Sequence, residues 1–175
     1  MFRQVARRPQ AFPVDWGDRF EVLPWTEDKT GEIGEFLLRM GAESFADIPE
    51  CADGSPASAM RYVTRAIEYE RADPHRAAGF AASSLVYDKT TNKLIAVCLV
   101  CGTGVYHLEV DPAYRRRGIA TNMLKRFLSV HAERGTPEVH LWRNDDSPGV
   151  RVYERLGFAP TGEVEDPPGA WRREA

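Results

Sequence analysis

The chain predicts an α/β (α+β) fold, a mixed central sheet with flanking helices, and three features of the sequence carry that expectation. Two stretches with apolar residues at helical spacing come first, and a strand meander with a polar connection follows. A strand, a helix and a second strand then run from 105 to 142. A helix between two neighbouring strands is a crossover, so strands 105–110 and 139–142 are expected to lie parallel.

Taken in order, residues 20–23 read as a first strand, and 30–45 as a helix with Ile33, Phe36, Leu37 and Met40 on one face. A loop containing Pro49, Gly54 and Pro56 leads to a second helix over 58–71, carrying Met60, Val63 and Ile67 and broken at Asp73-Pro74. Strands over 81–87 and 94–100 are joined by the polar stretch 88–93, and 105–110 completes the meander. The helix from Gly118 to Arg134 turns Leu124, Phe127 and Leu128 inward and stops at Gly135 and Pro137. After strand 139–142, Ser147 or Asp146 can cap a helix over 148–156 that Gly157 ends, and 158–164 with 170–172 can close the sheet as a short hairpin. Residues 1–18 are expected to be an irregular N-terminal arm, and 19–175 a single domain.

A length of 175 residues with 43% hydrophobic content suits one domain with a sizeable core. The formal net charge of −3 gives no electrostatic reason for nucleic acid as a general partner. No apolar run is long enough to span a bilayer, and the first fifteen residues lack the apolar centre of a secretory signal, so a cytoplasmic protein without membrane contact is expected. Cys98-x-x-Cys101 lies in a strand-like run without further ligands at metal spacing, and Cys51 is alone. The three are read as small buried hydrophobes, with no metal site.

The densest local signal is Leu108-Glu109-Val110-Asp111-Pro112-Ala113-Tyr114-Arg115-Arg116-Arg117-Gly118-Ile119-Ala120-Thr121, a strand, a tight basic turn and a helix start in succession. The first turn of a helix has N–H groups without intrahelical partners and carries the positive end of the macrodipole, so an anion can sit there. Gly118 permits close approach of the backbone, and Arg115, Arg116 and Arg117 add charge and forked donors that match phosphate oxygens. Other phosphate motifs, Gly-x-x-x-x-Gly-Lys-Ser/Thr and a helix-opening Gly-x-Gly-x-x-Gly, are absent.

Arg115-x-x-Gly118-x-Ala120 resembles the acetyl-CoA signature of the GNAT-type N-acetyltransferases, Gln/Arg-x-x-Gly-x-Gly/Ala, and Val152-Tyr153-Glu154-Arg155-Leu156-Gly157-Phe158 resembles that superfamily's Leu-Tyr-x-x-x-Gly-Phe ending. The resemblance is sharp over 105–158, holds by strand order from Gly79, and is vague before that. It implies a splayed parallel strand pair, acetyl-CoA as acyl donor, and a pyrophosphate held by the backbone N–H groups from Arg117 through Gly118, Ile119 and Ala120 to Thr121. It also implies main-chain pairing of Leu108, Glu109 and Val110 with the pantetheine arm, and a role for Tyr153 as proton donor to the departing thiolate. Val110 N–H is a candidate oxyanion donor. Relatives often carry an asparagine seven positions before the tyrosine; here that position is Asp146, and Asn144 stands nearby as a replacement contact.

An amine acceptor must lose a proton before attack, which calls for a carboxylate, an imidazole or water. Glu109 and His107 are two apart on one strand and so share a face, opposite Leu108 and Val110, and the choice between them stays open. Acidic residues outnumber basic ones between 27 and 53, which favours a cationic acceptor if those groups face the cleft. The expected activity is direct transfer of acetyl to a primary amine of a small molecule or peptide, by a monomer or homodimer. The alternative is a non-catalytic acyl-CoA-binding or regulatory module of the same fold.

Overall fold

The computed structural model describes residues 2–41, 53–72 and 78–165. Seven strands, β1 (Phe2–Arg7), β2 (Phe20–Leu23), β3 (Ser84–Asp88), β4 (Lys93–Cys101), β5 (Gly104–Val110), β6 (Val139–Asn144) and β7 (Ala159–Glu165), form one sheet in the order β2-β3-β4-β5-β6-β1-β7. The helices are α1 (Thr30–Met40), α2 (Pro56–Ala72), the single turn α3 (Gly79–Ala82), α4 (Ile119–Glu133) and α5 (Val150–Arg155). Every strand pair is antiparallel except β5 and β6, which run parallel as the crossover required.

β4 is apolar over nearly its whole length because both of its faces are covered. Val97 and Leu99 pack under α1 and α2 with Phe36, Leu37 and Tyr62, whereas Ala96, Cys98 and Val100 pack under α4 with Met123, Leu124 and Phe127. The same alternation puts Cys98 and Cys101 on opposite faces. Cys98 is fully buried, burial pushes its thiol up to about 12, and Cys101 Sγ sits 3.4 Å from the Ala66 carbonyl. Cys51 lies outside the described residues.

Several expectations need correction. Residues 2–7 are not an irregular arm but strand β1, inserted between β6 and β7, with Val5 wholly buried opposite Leu141 and Pro160. The arginines that mask this strand are engaged: Arg7 reaches the Leu156 carbonyl and stacks over Phe12, and Arg3 bonds Asp145 at 3.2 Å. Residues 8–16 carry no helix or strand and run along α4, where Phe12 N–H meets Ser129 Oγ at 2.9 Å. Residues 81 and 82, expected to open the strand 81–87, belong instead to the helical turn α3, and the strand begins at Ser84. The buried Glu70 carboxylate accepts Gly79 N–H at 2.7 Å, and Ser83 bonds back to the Gly79 carbonyl. Helix α1 stops at Met40 because Gly41 turns to φ +83° and returns its N–H to Leu38. β7 pairs with β1, and the expected hairpin partner 170–172 lies outside the described residues. No helix among the described residues is long and apolar enough to cross a membrane.

Placing a carboxylate at the buried centre of β1 by Val5→Asp should cost about 3 kcal/mol or more in urea unfolding, while Arg8→Ala, on an exposed residue, should stay within about 0.5 kcal/mol. Equal, small effects would mean that β1 is not part of the folded sheet.

Candidate active site

The site begins where β5 leaves β6. Their ladder pairs only Gly104 with His140 and Val105 with Leu141, after which the strands diverge. At the same point β5 carries a bulge opposite Leu99 and Val100, so the successive residues Tyr106 and His107 both face α2. Farther along, Asp111 N–H bonds the Ile95 carbonyl at 2.9 Å, so odd positions direct their main chain toward β4. By alternation, the N–H and C=O groups of Leu108 and Val110 face the gap that opens toward β6.

Beyond Val110 the chain turns sharply. Asp111 Oδ1 accepts Ala113 N–H at 2.9 Å, Arg116 has φ +66°, and Gly118 has φ +78°. α4 then starts at Ile119, and Asn122 N–H is the first to reach back to Gly118, so the N–H groups of Ile119, Ala120 and Thr121 precede the intrahelical ladder. These residues line one wall of a cleft of about 710 Å³, together with Val110, Arg115 and Arg116. Pro148, Arg151, Val152, Glu154 and Arg155 line the opposite wall.

The arginines of the turn divide their work. Arg115 donates from Nε to the Val110 carbonyl at 3.0 Å and from Nη2 to Glu109 Oε1 at 3.2 Å, so its fork is directed at the protein. Arg117 stacks over the Tyr114 ring at 5.5 Å and does not line the cleft. Arg116 does line it. Sequence reasoning missed what holds this turn: Asp88, without exposed surface, accepts bonds from Tyr114 Oη at 2.8 Å, Arg19 Nη2 at 2.7 Å and Thr90 Oγ1 at 2.6 Å. Bonding to Arg19 and then Thr90 holds its carboxyl well below the usual range.

The candidate acid–base groups and their neighbours come from three elements, β5, α2 and α5. His107 Nδ1 lies 3.2 Å from the Tyr62 hydroxyl of α2, whose ring stacks 4.7 Å from that of Tyr106. Glu109, on the same face of β5, is ion-paired to Arg115 with 15% of its side chain exposed. Tyr153 of α5 packs edge-on against Phe158 at 6.4 Å. Burial pushes its phenol up to about 12, Cys98 and Glu109 add to the shift, and Arg143 opposes it. Gly149 leaves the space that the phenol occupies, since a Cβ there would lie 2.9 Å from Tyr153 Oη.

Asn144 ends β6 with its Oδ1 accepting Asp146 N–H at 3.1 Å, while the Asp146 side chain is exposed. Arg143, 10% exposed, reaches Glu154 at 3.2 Å and Asp145 at 3.7 Å. Neither Arg143 nor Tyr62 carries a local signal that would have singled it out. Of the acids between 27 and 53, Glu27 pairs with Arg71, Glu32 meets Lys29 and Tyr87, and Asp53 accepts from Ser55; Glu43, Asp47 and Glu50 lie outside the described residues.

Comparison with known proteins agrees with this geometry. Residues 67–160, more than half of the chain, match the acetyltransferase (GNAT) domain. An acetyltransferase of Pectobacterium atrosepticum is 37% identical over 54 residues, a stretch covering 30% of this chain and 38% of that protein. Among solved structures, a GCN5-related N-acetyltransferase from Sphaerobacter thermophilus superposes with a TM-score of 0.63 at 20% identity, over 91% of this chain and 48% of its own. A predicted acetyltransferase from Clostridium acetobutylicum, solved with acetyl-CoA, gives 0.54 at 16% identity over 84% and 94%. The chain thus spans about half or less of the Pectobacterium and Sphaerobacter proteins, and at these identities the structural likeness is one of fold. With the strand–turn–helix signature, the Tyr153 helix and the diverging parallel pair all inside or beside the matched stretch, the chain belongs to the GNAT acetyltransferase family.

Proposed function

We propose that the chain transfers acetyl from acetyl-CoA to a primary amine by direct attack. What supports this reading is the N–H-lined cleft at the start of α4, which is walled also by Val110, beyond the point where β5 and β6 have parted, and by Val152 and Glu154, the neighbours of Tyr153 on α5. Bound there, the thioester supplies an activated acyl group and a thiolate leaving group. The N–H groups from Gly118 to Thr121 and Arg116 hold the pyrophosphate, and Leu108 and Val110 bond the pantetheine arm as a neighbouring strand would. With its carbonyl taken by Arg115, Val110 offers its N–H to the charge developing on the thioester oxygen. Tyr153 keeps its proton at neutral pH and gives it to the departing sulfur. The amine enters from the α2 face, where Glu109 and His107 stand to take its proton directly or through water.

Calorimetric titration with acetyl-CoA should give binding in the low micromolar range, on the order of −8 kcal/mol. Gly118→Trp should abolish it while leaving a folded protein, because no atom lies within 4 Å of a Cβ at that position and the positive φ costs only about 1 kcal/mol. Unchanged affinity in that variant would remove the cleft from the mechanism.

Once an acceptor is found by thiol release, Tyr153→Phe should lower turnover about 100-fold and spare acetyl-CoA affinity. Burial disfavours the phenolate, so the proton is retained above the ordinary tyrosine range, and Tyr153 should impose no alkaline downturn until pH approaches about 12. A downturn near pH 10 that disappears in the phenylalanine variant would contradict this assignment.

Gly149→Ala tests the same group without altering it. The added methyl has allowed backbone angles but meets Tyr153 Oη at 2.9 Å and Cζ at 3.1 Å, so it should displace the ring and lower turnover by about tenfold with little change in acetyl-CoA affinity. Equal turnover would show that the position of the phenol does not matter.

A further inference from the structure

The bulge in β5 brings atoms of two consecutive residues to one hydroxyl. Strict alternation would send Tyr106 and His107 to opposite faces of the sheet, but the extra residue at the register shift between Leu99 and Val100 lets both meet α2. Tyr62 Oη lies 3.3 Å from the Tyr106 carbonyl oxygen and 3.2 Å from His107 Nδ1. The phenol is held in that place. Tyr62 is 2% exposed, its ring lies 4.7 Å from that of Tyr106, and Tyr106 Oη donates to the Tyr62 carbonyl at 3.1 Å.

A carbonyl oxygen only accepts, a phenol carries one proton, and a neutral imidazole has one donor and one acceptor nitrogen. If the phenol gave its proton to Nδ1, its oxygen and the Tyr106 carbonyl would face each other at 3.3 Å with no hydrogen between them. Both contacts are hydrogen bonds only when Tyr62 donates to the Tyr106 carbonyl and His107 Nδ1–H donates to Tyr62 Oη. The proton of the neutral ring then sits on Nδ1, and Nε2 carries the lone pair.

We propose that Tyr62 is a positioning residue that fixes His107 in the Nδ1–H tautomer, so that His107 Nε2, and not Glu109, takes the proton of the acceptor amine. The inference rests on the acetyl-transfer reading above. One proton passes from the acceptor nitrogen to Nε2, directly or through water, as that nitrogen forms the new C–N bond. The C–S bond breaks, and the sulfur takes the Tyr153 proton. The ring becomes an imidazolium whose Nδ1–H bond to Tyr62 persists and strengthens, because a charged donor bonds more strongly than a neutral one. No other hydrogen of the network has to move. Glu109 is tied at 3.2 Å to Arg115, which also holds the Val110 carbonyl, so its carboxylate serves the turn.

The tautomer is read from long-range 1H–15N correlations of the 15N-labelled protein without acetyl-CoA, above the pH at which the ring gains a second proton, with His107 assigned by its loss in His107→Gln. The unaltered protein should carry the hydrogen on Nδ1, and Tyr62→Phe should move it wholly or partly to Nε2. Hydrogen on Nε2 in the unaltered protein, or an unchanged ring in the variant, overturns the proposal. Phenylalanine keeps the stacked ring and the Tyr62 carbonyl contact, so the variant should still unfold cooperatively; if it does not, the tautomer of the unaltered protein decides alone. With an acceptor in hand, Tyr62→Phe should lower kcat about tenfold at unchanged acetyl-CoA affinity. Added to His107→Gln, it should cost nothing more, because the two residues act as one unit. A second full loss in the double variant overturns the positioning role and leaves the transfer reading in place. Transfer to no amine by a protein with the expected tautomer overturns the transfer reading, and the role falls with it.

Discussion

The divergence of β5 from β6 is the constraint on which the rest depends. A parallel ladder limited to two residue pairs leaves main-chain groups of Leu108 and Val110 facing a gap, and buried backbone polar groups must find partners. One is found within the chain: Arg115 takes the Val110 carbonyl. The donors that remain are suited to a ligand that can mimic a strand. The bulge at Tyr106 sharpens this by turning two consecutive side chains toward α2, which brings His107 against Tyr62 and leaves Glu109 on the same side as His107. The irregularity thus lies where the gap opens and sets which side chains of β5 face α2.

Charge in the signature turn is arranged by buried partners as much as by the run of arginines. Asp88 anchors Tyr114 and Arg19, and Tyr114 in turn lies against both Arg19 and Arg117. The turn is therefore held from below through a carboxylate on β3, far away in sequence. An arginine triplet in water would be a mobile cluster of charge. Here two of the three guanidinium groups are directed at protein atoms, which fixes the backbone of the turn and leaves its N–H groups pointing into the cleft.

Local periodicity made the half of the fold built on β4 and α4 legible. Leu124, Phe127 and Leu128 fall on the buried face of α4, and the apolar run of β4 marks a strand covered on both sides. What stayed hidden depends on distant residues. β1 has only Val5 and Ala6 buried among its arginines, and its partners lie more than 130 residues away. Residues 79–82 are as apolar as a strand, and their helical turn follows from Glu70 reaching across to the Gly79 and Gly102 N–H groups. In the site, Arg115, Gly118 and Tyr153 stood out through motif spacing, whereas Asp88, Tyr62 and Arg143 act through tertiary contacts that leave no mark on neighbouring positions.

The N-terminal strand links fold to chemistry. Running antiparallel to β6, β1 places Arg3 beside the end of that strand, where it pairs with Asp145 and holds its carboxyl below the usual range. Arg143 joins the same carboxylate from β6 and extends to Glu154 of α5. A chain of charges therefore runs from the first strand, across the turn containing Asn144 and Asp145, to the helix that carries Tyr153. Exposed ion pairs contribute little stability one by one. Their geometric effect is larger, because the turn between Asn144 and Val150 contains no helix or strand and must still set the position of α5, which carries Tyr153. The strand that sequence periodicity could not reveal is thus one of the braces that position the proposed proton donor.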